Sequence, residues 1–186
     1  MAILKTSAHQ HLFFTLLIGS VISLSAQTPP AREYQIKAGF LFNFTQFIEW
    51  PASAFVSTET PIVIGVLGED PFNAYLDEIV SGETVNGHPL VVQRFKTISE
   101  VNTCHILFIN ITETAKLEEI VTSLKGRNIL TVSDAANFMQ QGGMIRFVTV
   151  NKKIQFQINP EATKEADLSI SSKVLRLAEI VVPKKK

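Results

Sequence analysis

From Ile106 to Ile109 the run CHILFI carries only apolar side chains, so a strand here has no face to give to water. A strand apolar on both faces must be covered on both, which places it inside a parallel sheet with helices above and below. Three further runs have similar character. PIVIGVLGED is β-branched and ends its apolar stretch at Gly68, Leu90 to Phe95 reads LVVQRF, and NILTVS closes at Ser133. Between them the apolar spacing turns helical, from about Pro71 to Val80 and again from Glu113 to Leu124, with Thr112 as the cap and Lys125-Gly126 as the end. Strands alternating with helices in this way predict a single α/β domain built on a mostly parallel sheet flanked by helices.

Two places strain the simple pattern. No full helix fits between the second and third strands, so ISEVNT is either a short helical crossover or a departure in pairing. After Gly142-Gly143, which precede a strand and suit a turn with positive φ, MIRFVTV and KIQFQIN flank Asn151-Lys152-Lys153. Ile154, Phe156 and Ile158 alternate on one face, which predicts a C-terminal antiparallel hairpin at the sheet edge. A last helical segment is expected from Ser171 to Ile180, ended by Pro183. Ahead of all the strands, AREYQIKAGFLFNFTQFIEWP suits a helix that is apolar round much of its circumference and stops at Pro51. Such a helix must be covered on more than one side, by the sheet and another helix or by a second subunit.

The first residues have a different character. Lys5 is the sole formal charge before a run, Leu12 to Ala26, that is apolar or small throughout. This is the layout of a secretory signal peptide occupying residues 1–26, with an exit after Ser25 as the alternative cut and a retained membrane anchor as the competing reading. The domain then spans 27–186, in which 16 of the 17 basic residues face 17 acidic ones. That balance gives no footprint for nucleic acid, and the closing KKK at 184–186 reads as a solvated tail.

Catalysis finds little support in the residue types. Asp134 stands at the carboxyl edge of the sheet, where α/β proteins often keep their chemistry, yet it is also placed to cap a short helix after NILTVS. A catalytic role needs a base, a nucleophile or a metal beside it. His88 belongs to the polar turn NGHP, and His105 opens the central strand as a buried, backbone-bonded imidazole. Cys104 and His105 are neighbours on a strand, so they point to opposite faces and cannot act as nucleophile and base for each other. HExxH, zinc spacings, GxGxxG and GxxxxGK[ST] are all missing, and the carboxylate pairs Glu69-Asp70 and Glu118-Glu119 are merely sequence neighbours. No enzyme, cofactor or metal is expected.

What remains is binding. Of 13 phenylalanines only Phe13 and Phe14 lie in the leader, and Phe40, Phe42, Phe44 and Phe47 crowd into eight residues of the first helix. Aromatics in such number supply a thick core or an interface. As an interaction surface the reading favours Phe40, Phe44 and Phe47, with Phe138 and Met139 after the fourth strand. As a competing ligand site it favours the carboxyl edge at Gly68 and Asp134, and it leaves Cys104 either buried or open to another chain.

The order EYQIKAGFLFNFTQFIEWP, IVIGVLGEDPF, GHPLVVQRF, CHILFIN, ILTVSD, GGMIRFVTVNKKIQFQIN and ADLSISSKVLRLAEIV, from Glu33 to Val181, resembles the YfiR-like family of bacterial periplasmic proteins. The resemblance implies a compact α/β fold, a tendency to self-associate, and a role as periplasmic repressor. In that role the protein binds the periplasmic sensory domain of an inner-membrane diguanylate cyclase and lowers cyclic di-GMP synthesis, until stress or capture by an outer-membrane lipoprotein releases it. Inhibition of this kind rests on a difference in affinity between two arrangements of the receptor. A small-molecule sensor without catalytic activity is the alternative. Several relatives carry cysteine pairs, whereas Cys104 here has no second cysteine with which to form an internal bridge.

Overall fold

A computed structural model describes residues 29–183 of the chain. The expected leader at 1–26 and the basic end at 184–186 lie outside the described residues. Among the described residues no helix is long and apolar enough to cross a membrane.

The chain begins with α1 (Pro29–Phe47), β1 (Ile48–Glu49) and β2 (Ile62–Gly68), followed by α2 (Ala74–Val80), β3 (Thr84–Val85) and β4 (His88–Phe95). Then come β5 (Ile106–Asn110), α3 (Thr114–Ser123), β6 (Leu130–Ser133), β7 (Ile145–Val150) and β8 (Lys153–Ile158). The last elements are α4 (Pro160–Glu165), β9 (Ser169–Ile170), α5 (Ser172–Leu175) and β10 (Glu179–Ile180). The main sheet has the order β10-β8-β7-β6-β5-β2-β4-β3, and β1 pairs separately with β9.

The α/β reading holds. Strands β4, β2, β5, β6 and β7 run parallel, and β5 lies among them as its two apolar faces require. Alternate residues of β2 and β5 feed two cores. Ile64, Val66, Phe108, Val132 and Phe147 meet Ala38, Leu41 and Phe44 of α1 and Leu76 of α2. On the opposite face Val63, Leu67, Leu107 and Ile109 meet Leu117, Ile120 and Val121 of α3. Gly65 in β2 is fixed by this second core. A Cβ there would stand 2.8 Å from Cys104 Sγ, 2.8 Å from Phe95 Cε2 and 2.9 Å from Leu107 Cδ1, closer than carbon atoms pack.

The crossover from β4 to β5 is made by a single 3-10 turn, Ile98–Glu100, so the short helical alternative is the one adopted. The hairpin β7–β8 turns on Asn151 and Lys152, both with positive φ, and it lies toward the sheet edge with only the two residues of β10 beyond it.

Several boundaries differ from expectation. Helix α1 stops at Phe47, because Ile48 and Glu49 leave the helix to pair with Ile170 and Ser169. Helix α2 starts at Ala74 rather than Pro71, since Asn73 adopts positive φ. The N-cap of α3 is Glu113, without a side-chain cap bond, so Thr112 does not serve. The expected helix from Ser171 to Ile180 is one turn of α5 followed by β10, which pairs with β8. Helix α4 is an addition to the expected elements: Asn159 accepts a hydrogen bond from Ala162 N–H and Pro160 takes the first helical position. Strand β3 is a second addition. It pairs with β4 across Asn86-Gly87, both at positive φ.

Candidate functional site

Asp134 finds its partners on α1. The α-helical spacing puts Glu33 and Lys37 one turn apart, with the glutamate on the N-terminal side as such pairs prefer. Lys37 is 2 % exposed, and its Nζ lies 2.7 Å from both Glu33 Oε1 and Asp134 Oδ2. Tyr34 OH donates to the same Asp134 oxygen at 2.9 Å, and the ammonium sits 4.2 Å from the centre of the Tyr34 ring. Burial first, then the Asp134 charge, push the Tyr34 phenol above its ordinary value, so it stays a neutral donor.

The expectation that Asp134 caps a helix is therefore corrected. Turns, not a helix, follow β6, and it is Ser133 Oγ that accepts from Ala135 N–H. Asp134 instead holds α1 over the carboxyl edge of the sheet. Gly68, at the same edge, has φ +98°, and a Cβ on it would stand 2.7 Å from the Asn110 carbonyl oxygen. Close backbone approach accounts for this glycine. Neither residue lines the two cavities described for the fold, one of about 420 Å³ between α3 and α4 and one of about 270 Å³ at the amino edge of the sheet.

The aromatic candidates divide by burial. Phe40 and Phe47 are half-buried, whereas Phe44, Phe138 and Met139 belong to the core. Phe44, at 1 % exposure, packs on Phe147 and Phe156, and Phe138 fills the space that a Gly143 Cβ would need. No partner touches these three without opening the fold, which corrects their place in an interaction surface. Ile36, 45 % exposed, lies one turn before Phe40 and joins Phe40 and Phe47 on the outer stripe of α1.

Cys104 is buried against Gly65, with its Sγ 3.0 Å from the Ile106 carbonyl oxygen. Burial pushes the thiol up to about 12, so of the two readings the inert, packed one applies. The adjacent His105 points to the other face, as strand geometry demands. Its Nδ1 accepts the Val63 N–H at 3.1 Å, and its ring stacks on Phe55 at 4.8 Å. Phe55 in turn stacks on His88 at 4.2 Å. The strand-terminal position of His105 is visible in the sequence, but this His–Phe–His stack is not.

Burial holds the His105 imidazole below its ordinary value of 6.5. Protonation would also set a second N–H against Val63. A base with a lowered folded value is neutral in the fold and protonates first in the unfolded chain. Its stabilising share is full above about pH 6.5 and is lost as pH falls below it. Urea midpoints measured from pH 8 to pH 5 are expected to fall more steeply for the wild type than for His105→Asn, whose amide oxygen keeps the Val63 bond without titrating. Parallel slopes would refute this role.

Among the described residues no group of three or more His, Cys, Asp or Glu side chains could hold a metal ion. The cluster at Asp134 fastens α1 over the sheet edge. Fold and site together define a single α/β domain with a mostly parallel central sheet, whose first helix is tied to the carboxyl edge of that sheet. The chain belongs to the DUF4154 family, described as YfiR/HmsC-like, whose model matches residues 34–179. Members of this family are periplasmic regulators without catalytic activity. No curated protein matches the chain.

Proposed function

We propose that this protein binds the periplasmic sensory domain of an inner-membrane diguanylate cyclase and represses it, lowering cyclic di-GMP signalling. Family membership over residues 34–179 carries the reading. It is supported by large apolar side chains left exposed. Leu177 is 73 % exposed and Val182 57 %, with Ile180 between them on edge strand β10, and Ile36 opens the half-buried stripe of Phe40 and Phe47 on α1. Exposed apolar clusters of this kind suit protein contacts. Self-association and release by an outer-membrane lipoprotein belong to the same proposal.

Repression follows from differential affinity. A protein that binds only the inactive arrangement of the cyclase shifts its equilibrium by that difference in free energy, with no chemistry of its own. The test is co-purification of tagged protein from periplasmic and membrane extracts of its own organism, with mass spectrometry of what is retained. A membrane cyclase with a periplasmic domain is expected with the wild type, and its loss is expected with Leu177→Glu or Ile36→Glu, both surface changes that leave the core intact. Recovery of the protein alone would sink the partner assignment. Retention by both variants would move the contact elsewhere.

A further inference from the structure

The cavity of about 270 Å³ at the amino edge of the sheet is walled by three separately fixed pieces of chain. Glu49 and Trp50 come from β1 and its end, and pairing of Glu49 with Ser169 holds that wall. Asn86 and His88 come from the β3–β4 hairpin, whose Asn86-Gly87 turn has two positive φ values. Phe55, from the connection between β1 and β2, closes the side and is stacked between His88 and His105.

The hydrogen-bonding character of the lining is one-sided. Trp50 Nε1–H already donates to the His105 carbonyl at 3.2 Å, and the Thr45 hydroxyl to the Phe42 carbonyl at 2.6 Å. His88 Nδ1 lies 2.7 Å from the Thr60 carbonyl oxygen and donates to it, which leaves Nε2 as the acceptor of the neutral ring. Among the described residues Glu49 makes no ion pair, and no lysine or arginine lines the cavity. The donors are thus engaged, apart from the Asn86 amide, while a carboxylate and an imidazole lone pair remain as acceptors beside the apolar surfaces of Trp50, Phe55 and Ile62.

We propose that this cavity binds a small primary ammonium compound with a compact apolar body, of the arylalkylamine class. An ammonium brings three donors and a positive charge to a lining that offers acceptors and a negative one. No described lysine or arginine lines the cavity to receive an anion. The volume falls just below the roughly 300–1,000 Å³ of drug-sized sites, which restricts the ligand to a small body. The inference does not rest on the cyclase reading, and its failure leaves that reading untouched.

Trp50 is the sole tryptophan of the chain, so its emission reports the cavity directly. Titration of the full domain with phenethylamine is expected to change that emission saturably, with half-saturation at or below about 1 mM, the range open to so small a ligand. Phenylacetate, equal in size and opposite in charge, is expected to leave it unchanged. Glu49→Gln, at an exposed position, is expected to weaken the amine about fivefold. His88→Phe keeps a ring stacked on Phe55 but removes the Nε2 acceptor, and is expected to weaken it further. Thermal unfolding without ligand checks that both variants fold. No saturable response to the amine, an equal response to phenylacetate, or wild-type titration curves for both folded variants would each overturn the proposal.

Discussion

Truncating Phe44 to alanine is expected to lower the stability of the protein by about 3–5 kcal/mol, the range for removing a buried phenylalanine ring and leaving its space unfilled. The ring lies 6.2 Å from Phe147 in a stacked arrangement, 5.5 Å from Phe156 edge-on and 6.3 Å from Phe40. These partners come from β7, β8 and α1 itself, so the loss is felt where the helix meets the sheet. A domain of this kind has only about 5–15 kcal/mol in total, and the variant should unfold at a much lower urea midpoint. Phe47→Ala, at a half-buried site, is the control and should cost about 1 kcal/mol. If Phe44→Ala proved the milder change, α1 would not lie on the sheet by the face described.

Lys37→Met is the second large effect, expected at about 3 kcal/mol. Removing one partner of a buried ion pair leaves the other charge without compensation, which typically costs about 3–5 kcal/mol. The lower end applies because the Asp134 side chain keeps 22 % exposure and water can answer part of the loss. The loss should depend on Asp134. Combining Lys37→Met with Asp134→Asn removes the stranded carboxylate while Tyr34 can still donate to the amide oxygen, so the double variant should be more stable than the two single losses added together by at least about 1 kcal/mol. Additive losses would mean that the pair is incidental and that packing alone fastens α1.

The sequence makes some of this architecture legible and hides the rest for physical reasons. The run around Phe108 announces a buried strand because two apolar faces leave no alternative. The stretch from Phe40 to Phe47 announces a helix but not its orientation, since a helix apolar all round offers no contrast between inner and outer faces. The pattern therefore cannot tell Phe44, which is core, from Phe40 and Phe47, which are half-buried. Asp134 could be placed at the sheet edge from its strand, yet its partner Lys37 is 97 positions away and no local pattern joins them. Strands β9 and β10, two residues each, are too short for any periodicity. Helix α4 was different: the Asn159-Pro160-Glu161 start carried a capping signal that could have been used.

The packing of Cys104 against Gly65 has a kinetic side. The chain holds a single thiol, enclosed where β2 meets β5 and kept protonated by its surroundings. Alkylation requires a thiolate within reach of the reagent, so each modification event records a moment when that join has parted. The rate of labelling is then a clock for sheet opening that needs no introduced probe. A ligand or partner that slows the clock is one that holds the domain shut, and one sulfur atom suffices to tell it from a ligand or partner that merely adheres.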